Sequence, residues 1–151
     1  RRRHMKPCVS EQLQYYNLLT SEIDEAYHNA SLKLGLSDSA MMILYALCSR
    51  ENPCPLLEIA KLTGISRQTI HSAIKKLEAQ GILTLESPGG RRKLVRLTEE
   101  GMELAEKTAG RLIKIENEIF DSWTGEELEQ YIRLTGRYLE QFREKTGRLG
   151  V

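Results

Sequence analysis

The stretch LTGISRQTIHSAIKKLEAQGIL, residues 62–83, decides the fold because it places one amphipathic helix between two glycines. At 100° per residue, Ile70, Ile74 and Leu77 share one edge of that helix, with Ala73 beside them. This apolar edge predicts burial. The opposite edge carries side chains that donate and accept hydrogen bonds without bulk, namely Gln68, Thr69, His71, Ser72 and Lys75. Such a face has the size and chemistry needed to meet base edges in a DNA major groove.

A shorter helix is predicted over residues 56–62, ahead of Gly64, and Ser66 is placed to cap the helix that follows. Ala60 allows two helices to approach closely, and Gly64 permits the tight turn between them. Ile70 would then pack back on the first helix. This spacing is typical of a helix-turn-helix, although a plain helical hairpin can also show it.

Two strands are predicted next, over residues 82–87 and 93–97, and Gly89 and Gly90 lie at the tip of the hairpin that joins them. The tip carries three consecutive cations, which are Arg91, Arg92 and Lys93. Beside a helix-turn-helix, such a tip would be a wing that lies along or in the neighbouring minor groove. The alternative is an ordinary charged turn in solvent.

Helices account for the remaining predicted elements. They are expected over residues 10–34, 38–50, 98–123 and 124–148, and Thr124 with Glu127 predicts a capping box at the last. The fold class is therefore mainly α with a small β-hairpin, in which a winged helix-turn-helix domain is flanked by further helices.

Composition narrows the class of protein. The 151 residues are 40% apolar and 28% charged, which is typical of a globular protein in water. No apolar run approaches the roughly 20 residues that span a bilayer, and there is no hydrophobic signal core, so we expect a cytoplasmic protein. Residues 1–4 precede Met5 and are expected to be foreign to the native chain.

Charge is unevenly distributed along the chain, although the net charge is only +1. Residues 55–96 hold eight Lys and Arg against three Glu, a net +5, whereas the rest holds 14 basic and 18 acidic residues, a net −4. A basic centre between acidic flanks is what a nucleic-acid reader inside a nearly neutral protein would show. A charged face that contacts only solvent would give the same count.

The sequence offers little for catalysis. Its histidines are His4, His28 and His71, and they support neither a Ser-His-Asp nor a Cys-His arrangement. There is also no glycine loop of the kind that cradles phosphate. We therefore expect no enzyme, no cofactor and no metal, and a small helical enzyme stays a remote alternative.

Cysteine chemistry offers a second alternative, a regulator that responds to metal or to thiol oxidation. It would use Cys8, Cys48, Cys54 or His28. The spacing of Cys48 and Cys54 fits no standard zinc pattern, and Cys48 is expected to be a buried small apolar residue.

Two segments carry a family resemblance. The first is LLEIAKLTGISRQTIHSAIKKLEAQGIL, residues 56–83, and the second is RRKLVRLTEEG, residues 91–101. Together they resemble the helix-turn-helix and the wing of MarR-type winged-helix transcriptional regulators, including the Leu97-Thr98-x-x-Gly101 signature. One departure is Gly89, which stands where the family usually has an aspartate two positions before the wing arginine, here Arg91.

The resemblance implies a homodimeric repressor that binds a pseudo-palindromic operator in double-stranded DNA and is released by a small phenolic or lipophilic effector. The residues expected to face bases are Gln68, Thr69, His71, Ser72 and Lys75. Those expected to contact mainly phosphates are Ser66, Arg67, Lys76 and Arg92. Arg91, with Lys93 on the same tip, would reach the minor groove. The residues that could line an effector cleft, or equally the core, are Tyr16, Met41, Met42 and Tyr45.

The terminal helices support the dimer that the resemblance implies. Residues 102–123 and 128–142 carry more large apolar side chains than a small winged domain can bury. We therefore expect residues 36–100 to form the winged domain, and residues 5–35 and 101–151 to contribute to dimerisation. The alternative is a long antiparallel hairpin within one chain, packed on the first helix.

Overall fold

The computed structural model describes residues 8–150, so the expectation for residues 1–4 lies outside the described residues. The chain divides into two compact units, the first ending at Arg111 and the second beginning at Leu112. Seven α-helices and three β-strands are assigned to the described residues, and one helix runs across the boundary between the units. The fold class is mainly α with a small antiparallel sheet, as predicted.

Two capped helices open the first unit. Helix α1 (Glu11–Lys33) begins after Ser10, and helix α2 (Asp38–Cys48) begins after Ser37. Each serine hydroxyl accepts a hydrogen bond from the backbone N–H three residues further on. Because these bonds satisfy N–H groups that a helix end leaves unpaired, both predicted starts are confirmed.

The predicted helix-turn-helix is confirmed. Helix α3 (Leu56–Thr63) ends at Gly64, whose φ of 65° lies in the left-handed region that favours glycine. Helix α4 (Arg67–Ala79) begins only three residues later, after Ser66. The short turn lets the apolar edge of α4 pack inward, where Ile70, Ile74 and Leu77 are buried.

The sheet has three strands, one more than predicted. The expected hairpin is formed by β2 (Leu83–Glu86) and β3 (Leu94–Leu97), and β1 (Cys54–Pro55) pairs with the other edge of β3. The order is therefore β1-β3-β2, all antiparallel. Strand β1 is missed by the sequence patterns because two residues, one of them a proline, show no alternation.

The single helix predicted over residues 98–123 is wrong, because two helices occupy this segment. Helix α5 (Glu99–Lys107) and helix α6 (Ala109–Asp121) are separated by Thr108, whose φ of −119° and ψ of −87° are not helical. The buried Thr108 hydroxyl donates to the carbonyl oxygen of Leu104 at 2.6 Å. Bonding of this kind competes with the helical ladder, and Gly110 adds low helix propensity just beyond it.

Helix α2 lies at the centre of the hydrophobic core of the first unit, where it packs against α3, α4 and α5. The largest fully buried side chains of this core are Ile43, Leu44, Ile59, Ile74, Leu83, Val95 and Cys54. Burial of each aliphatic side chain contributes roughly 1.5–3 kcal/mol to folding, so the core holds the helix-turn-helix and the sheet as one body.

The second unit contains the end of α6 and helix α7 (Gly125–Thr146). Thr124 and Glu127 form the predicted capping box, since each side chain accepts from the other's backbone N–H at 3.1 and 2.9 Å. Trp123 contacts both Phe120 and Tyr131 edge to face, with 5.3 Å between ring centroids in each pair. This aromatic cluster joins the two helices of the unit.

Among the described residues, no single helix is long and apolar enough to cross a membrane. The α1–α2 pair, bent by 88°, meets the length and composition of a broken span, on those two criteria alone.

Candidate nucleic-acid interface

Helix α4 has two faces of opposite character. Its apolar face is buried, whereas all five side chains predicted to face DNA bases are exposed: Gln68, Thr69, His71, Ser72 and Lys75. Because the core holds one face, the other is presented to solvent on a rigid element. The predicted division of this helix is confirmed, and contact with bases stays a prediction.

The N-terminal end of α4 is organised by Ser66. Its hydroxyl accepts from the Thr69 backbone N–H at 3.3 Å and donates to the Thr69 hydroxyl oxygen at 2.9 Å. Ser66 therefore acts as the helix cap, in addition to its predicted role at a phosphate. The bond also fixes the direction of the Thr69 side chain, which lies on the predicted base-reading face. Arg67 follows directly and is exposed at the positive end of the helix.

The wing tip is a tight turn with three exposed cations. Gly89 and Gly90 have φ angles of 69° and 75°, a conformation that side chains with a Cβ rarely adopt. The next three residues, Arg91, Arg92 and Lys93, are all exposed. In the described part of the chain none of them forms a salt bridge, so their charges are available to a polyanion.

The two wing strands are braced by an ion pair, although Gly89 stands where the family that the sequence resembles usually has an aspartate. The Arg96 guanidinium on β3 donates to the Glu86 carboxylate on β2. Hydrogen bonding from Arg96 lowers the pKa of the Glu86 carboxyl, so the pair is charged at neutral pH. The carboxylate of this pair lies on strand β2, whereas the glycine-rich tip beyond the strands has no carboxylate of its own.

A groove of 620 Å³ brings the wing tip, α3 and α4 together. It is lined by five predicted DNA-contacting residues, which are Arg67, His71, Arg91, Arg92 and Lys93. Lys61 of α3 lines the same groove but was not among the predicted residues, and Leu57 beside it is 67% exposed. The lining holds five Lys and Arg side chains against one carboxylate, that of Glu58, together with apolar residues, which suits a sugar-phosphate strand. Prediction from the α4 pattern missed Lys61 because this residue lies on the preceding helix.

The residues considered for an effector cleft do not share one environment. Met41 is 3% exposed in the core, whereas the adjacent Met42 is 40% exposed. Tyr16 is also exposed, and Tyr45 is half-buried. Consecutive helical residues point about 100° apart, which explains why Met41 and Met42 differ in exposure. Effector binding by these four residues stays a prediction.

The cysteines differ from expectation. Cys48 is exposed at the end of α2, so the prediction that it is buried is wrong; Cys54 is the buried one, because β1 pairs it with the central strand. Burial raises the pKa of the Cys54 thiol, and the neighbouring Glu58 carboxylate raises it further. Although the Cys48 residue as a whole is exposed, its sulfur lies against the Ala105 carbonyl oxygen, and partial desolvation raises the pKa of this thiol as well. Less thiolate means slower oxidation at both positions. Cys8 is exposed.

His28 pairs with Asp38, with 2.8 Å between Nδ1 and the nearer carboxylate oxygen. Within residues 8–150, no three His, Cys, Asp or Glu side chains are grouped so that they could hold a metal ion. The residues named for a metal-responsive regulator are therefore not brought together in the part of the chain that the structure describes.

Known proteins share this architecture. A model of the MarR family matches residues 34–93, whereas no curated protein is significantly similar to the chain. The S. aureus MepR–DNA complex is 18% identical with a TM-score of 0.68, over 85% of this chain and 96% of that one. PcaV from Streptomyces coelicolor with its natural ligand is 18% identical, with a TM-score of 0.65, over 89% and 98%. BpsR from Bordetella bronchiseptica, described with regulation of its DNA binding by 6-hydroxynicotinic acid, is 22% identical, with a TM-score of 0.65, over 88% and 98%.

At these identities the structural likeness establishes a fold, and it is the fold of transcriptional regulators. The family match covers the core helix α2, the helix-turn-helix and the wing up to Lys93. The resemblance found in the sequence motifs is thereby confirmed: residues 34–93 match the MarR-family model, and the chain shares its fold with solved MarR-type regulators.

Proposed function

We propose that the protein is a cytoplasmic transcriptional repressor that reads a pseudo-palindromic DNA operator as a homodimer. The observation that carries the proposal is the groove in which α3, the N-terminal half of α4 and the cationic wing tip meet. A helix in the major groove and a wing in the adjacent minor groove leave one sugar-phosphate strand between them. A MepR structure of the same fold was solved in complex with DNA, which supports this use of the fold.

The exposed residues of α4, α3 and the wing fall into two groups, those proposed to contact bases and those proposed to contact the DNA backbone. Gln68 lies in the first turn, the part of a recognition helix that enters the major groove most deeply. Its amide can pair with both the N6 and N7 positions of adenine. Arg67, Lys76 and Arg92 instead supply charge, with Lys61 added from the groove. Arg91 on the wing tip meets the minor groove, where positive charge favours narrow A·T-rich sequence.

The roles of helix and wing can be separated by mutation. We expect Gln68→Ala to relax base preference at one position of each half-site, with a loss of discrimination of about 1–3 kcal/mol. We expect Arg91→Ala to weaken binding to all duplexes, most strongly where an A·T-rich minor groove lies under the wing, because it acts through charge and groove width. The measurement is affinity for a panel of single-base operator variants at fixed salt.

Gln80→Ala is the matched control, since it removes the same side chain from an exposed position at the far end of α4. It should leave the panel unchanged. Equal weakening on every sequence by Gln68→Ala, together with lost preference at a central base in Arg91→Ala, would show that the two roles are reversed.

Dimerisation is proposed from apolar faces that one chain leaves exposed. Helix α7 has 22 residues and buries none of them. Its exposed apolar side chains are Tyr131, Ile132, Leu134, Tyr138, Leu139 and Phe142. Helix α1 exposes a second set, which includes Leu13, Ile23 and Tyr27. Exposed apolar surface of this extent marks an interaction site. A second copy of the chain carries the same apolar helices and can cover this surface in a symmetric dimer.

A charge placed on α7 tests the dimer. Ile132 is 58% exposed, so Ile132→Glu costs an isolated chain little but puts a buried, unpaired carboxylate into a dimer interface. We expect this variant to sediment at the mass of one chain, whereas the native protein sediments at the mass of two. Gln130→Glu adds the same charge on the polar side of α7 and should remain dimeric. A dimeric Ile132→Glu protein would place the interface elsewhere.

Release by a small phenolic or lipophilic effector completes the proposal. PcaV was solved with its natural ligand, and the BpsR structure concerns regulation of DNA binding by 6-hydroxynicotinic acid. In this chain Tyr16, Met42 and Tyr45 are the candidates that lie outside the fully buried core. An effector would have to bind the free dimer more tightly than the DNA-bound one, because only a difference in affinity shifts the equilibrium.

A further inference from the structure

One edge of strand β3 pairs with β1, and at the end of this ladder a side chain takes the place of a backbone partner. Strand β1 pairs Cys54 with Val95 and Pro55 with Leu94, so the sum of paired residue numbers is constant along this ladder. The same register places Leu56 opposite Lys93, and the Leu56 N–H donates to the Lys93 carbonyl oxygen at 3.0 Å. It also places Asn52 opposite Leu97, where no backbone bridge between β1 and β3 is formed.

Asn52 fills that position with its amide side chain. Its Oδ1 accepts from the Leu97 backbone N–H at 2.9 Å, and its Nδ2 donates to the Leu97 carbonyl oxygen at 3.4 Å. A carboxamide has the same donor and acceptor as a peptide group, so it extends the ladder by one pair. Leu97 is 7% exposed, so without Asn52 its N–H would lose its partner in a largely dry environment.

The ladder joins two parts of the candidate interface. Its β1 side continues directly into α3, the first helix of the helix-turn-helix, and its β3 side continues into the cationic wing tip. Strand β1 contributes only two residues, so its register on β3 is set by the hydrogen bonds at its two ends: Leu56 to Lys93 beside the tip, and Asn52 to Leu97 at the base of the wing. We propose that Asn52 is a positioning residue that sets the wing tip relative to the recognition helix. This inference rests on the proposed function and names a residue outside the DNA-contacting set.

Amide hydrogen exchange tests the Asn52–Leu97 hydrogen bonds in the absence of DNA. We expect Asn52→Ala to speed exchange of the Leu97 amide, and Asn52→Asp, which keeps an acceptor for that N–H, to restore most of the protection. Asn29→Ala removes the same side chain from an exposed position on α1 and should change neither. An unchanged Leu97 amide in Asn52→Ala would overturn the proposal.

A double-mutant cycle with Arg91 tests the consequence for binding. Asn52→Ala should weaken binding to the selected operator about three- to tenfold, the size expected for one or two lost hydrogen bonds. In an Arg91→Ala background the same change should have a smaller effect, because the misplaced tip no longer carries its minor-groove contact and only the other tip cations are displaced. Both measurements are made where circular dichroism shows every variant folded.

The outcomes separate this inference from the proposed function. Equal weakening by Asn52→Ala in both backgrounds would make Asn52 merely structural and overturn its positioning role, while leaving the DNA-binding proposal intact. A native protein that binds no duplex, in contrast, overturns the proposed function and the role of Asn52 in DNA binding with it.

Discussion

Raising the salt concentration from about 50 to 200 mM should weaken binding of the protein to its operator roughly 10³–10⁵-fold, given about 6–10 phosphate contacts per dimer. The cause is that each Lys or Arg that neutralises a phosphate releases condensed counterions, and more salt makes that release less favourable. The cations expected to take part surround one groove and the helix beside it: Lys61, Arg67, Lys76, Arg91 and Arg92. Fluorescence anisotropy at several salt concentrations gives the slope of log affinity against log salt.

Variants show which cations produce the slope. Arg92→Ala should reduce the slope by about 2 for a dimer, one contact in each protomer, because each contact contributes about 0.9. Lys114→Ala removes an exposed cation from α6, outside the groove, and serves as the matched control. Gln68→Ala should leave the slope unchanged, since its amide carries no charge. A flat salt response of the native protein would contradict the assignment of DNA as the ligand.

Gly101→Ala should cost about 3 kcal/mol or more of the free energy of unfolding, because this position has no space for a methyl group. A Cβ there would overlap the carbonyl oxygen of Ile82 and lie 2.9 Å from its carbonyl carbon and 3.2 Å from a Leu97 methyl group. The obstacle is backbone, which cannot rotate away. A hydrogen bond also holds the start of α5 close to the start of β2: the Thr98 hydroxyl donates to the carbonyl oxygen of Gly81 at 2.6 Å. The methyl group would push α5 away from the base of the wing.

Gly136→Ala is the matched control, a second glycine-to-alanine change inside a helix. Nothing lies within 4 Å of a Cβ at Gly136, so the substitution should stabilise the protein by about 0.5–1 kcal/mol through helix propensity. Urea denaturation of both variants measures the two effects. If Gly101→Ala instead changed the free energy of unfolding as little as Gly136→Ala does, α5 would not approach Ile82 as closely as described.

Local signals in the sequence were sufficient for most elements. Ser10, Ser37 and Ser66 each precede a helix and cap it, and the apolar edge of α4 is buried as its spacing predicts. These features depend on neighbours within four residues, so periodicity and capping chemistry report them directly. The two strands of the wing were also predicted from the residues, since a Gly89-Gly90 turn separates two short runs rich in apolar residues.

Features that depend on distant residues were missed. Cys54 is buried and belongs to a strand because it pairs with Val95, a residue 41 positions away. Asn52 and Lys61 gain their proposed roles only when β1 and α3 lie beside the wing. The break at Thr108 depends on its buried hydroxyl, and an apolar pattern that continues across it gives no warning. Such contacts are set by tertiary packing, which residue spacing does not encode.

Selection of bound sequences from a pool of random duplexes is the most direct test of sequence-specific reading by α4 in a dimer. The prediction is a pseudo-palindrome with two half-sites about one helical turn apart, each specified most strongly where the N-terminal half of α4 enters the major groove. Gln68→Ala protein should select the same half-sites with one position in each relaxed. If the duplexes selected by the native protein share no common sequence, or share only a single unrepeated site, the proposed reading of DNA by a dimer is contradicted.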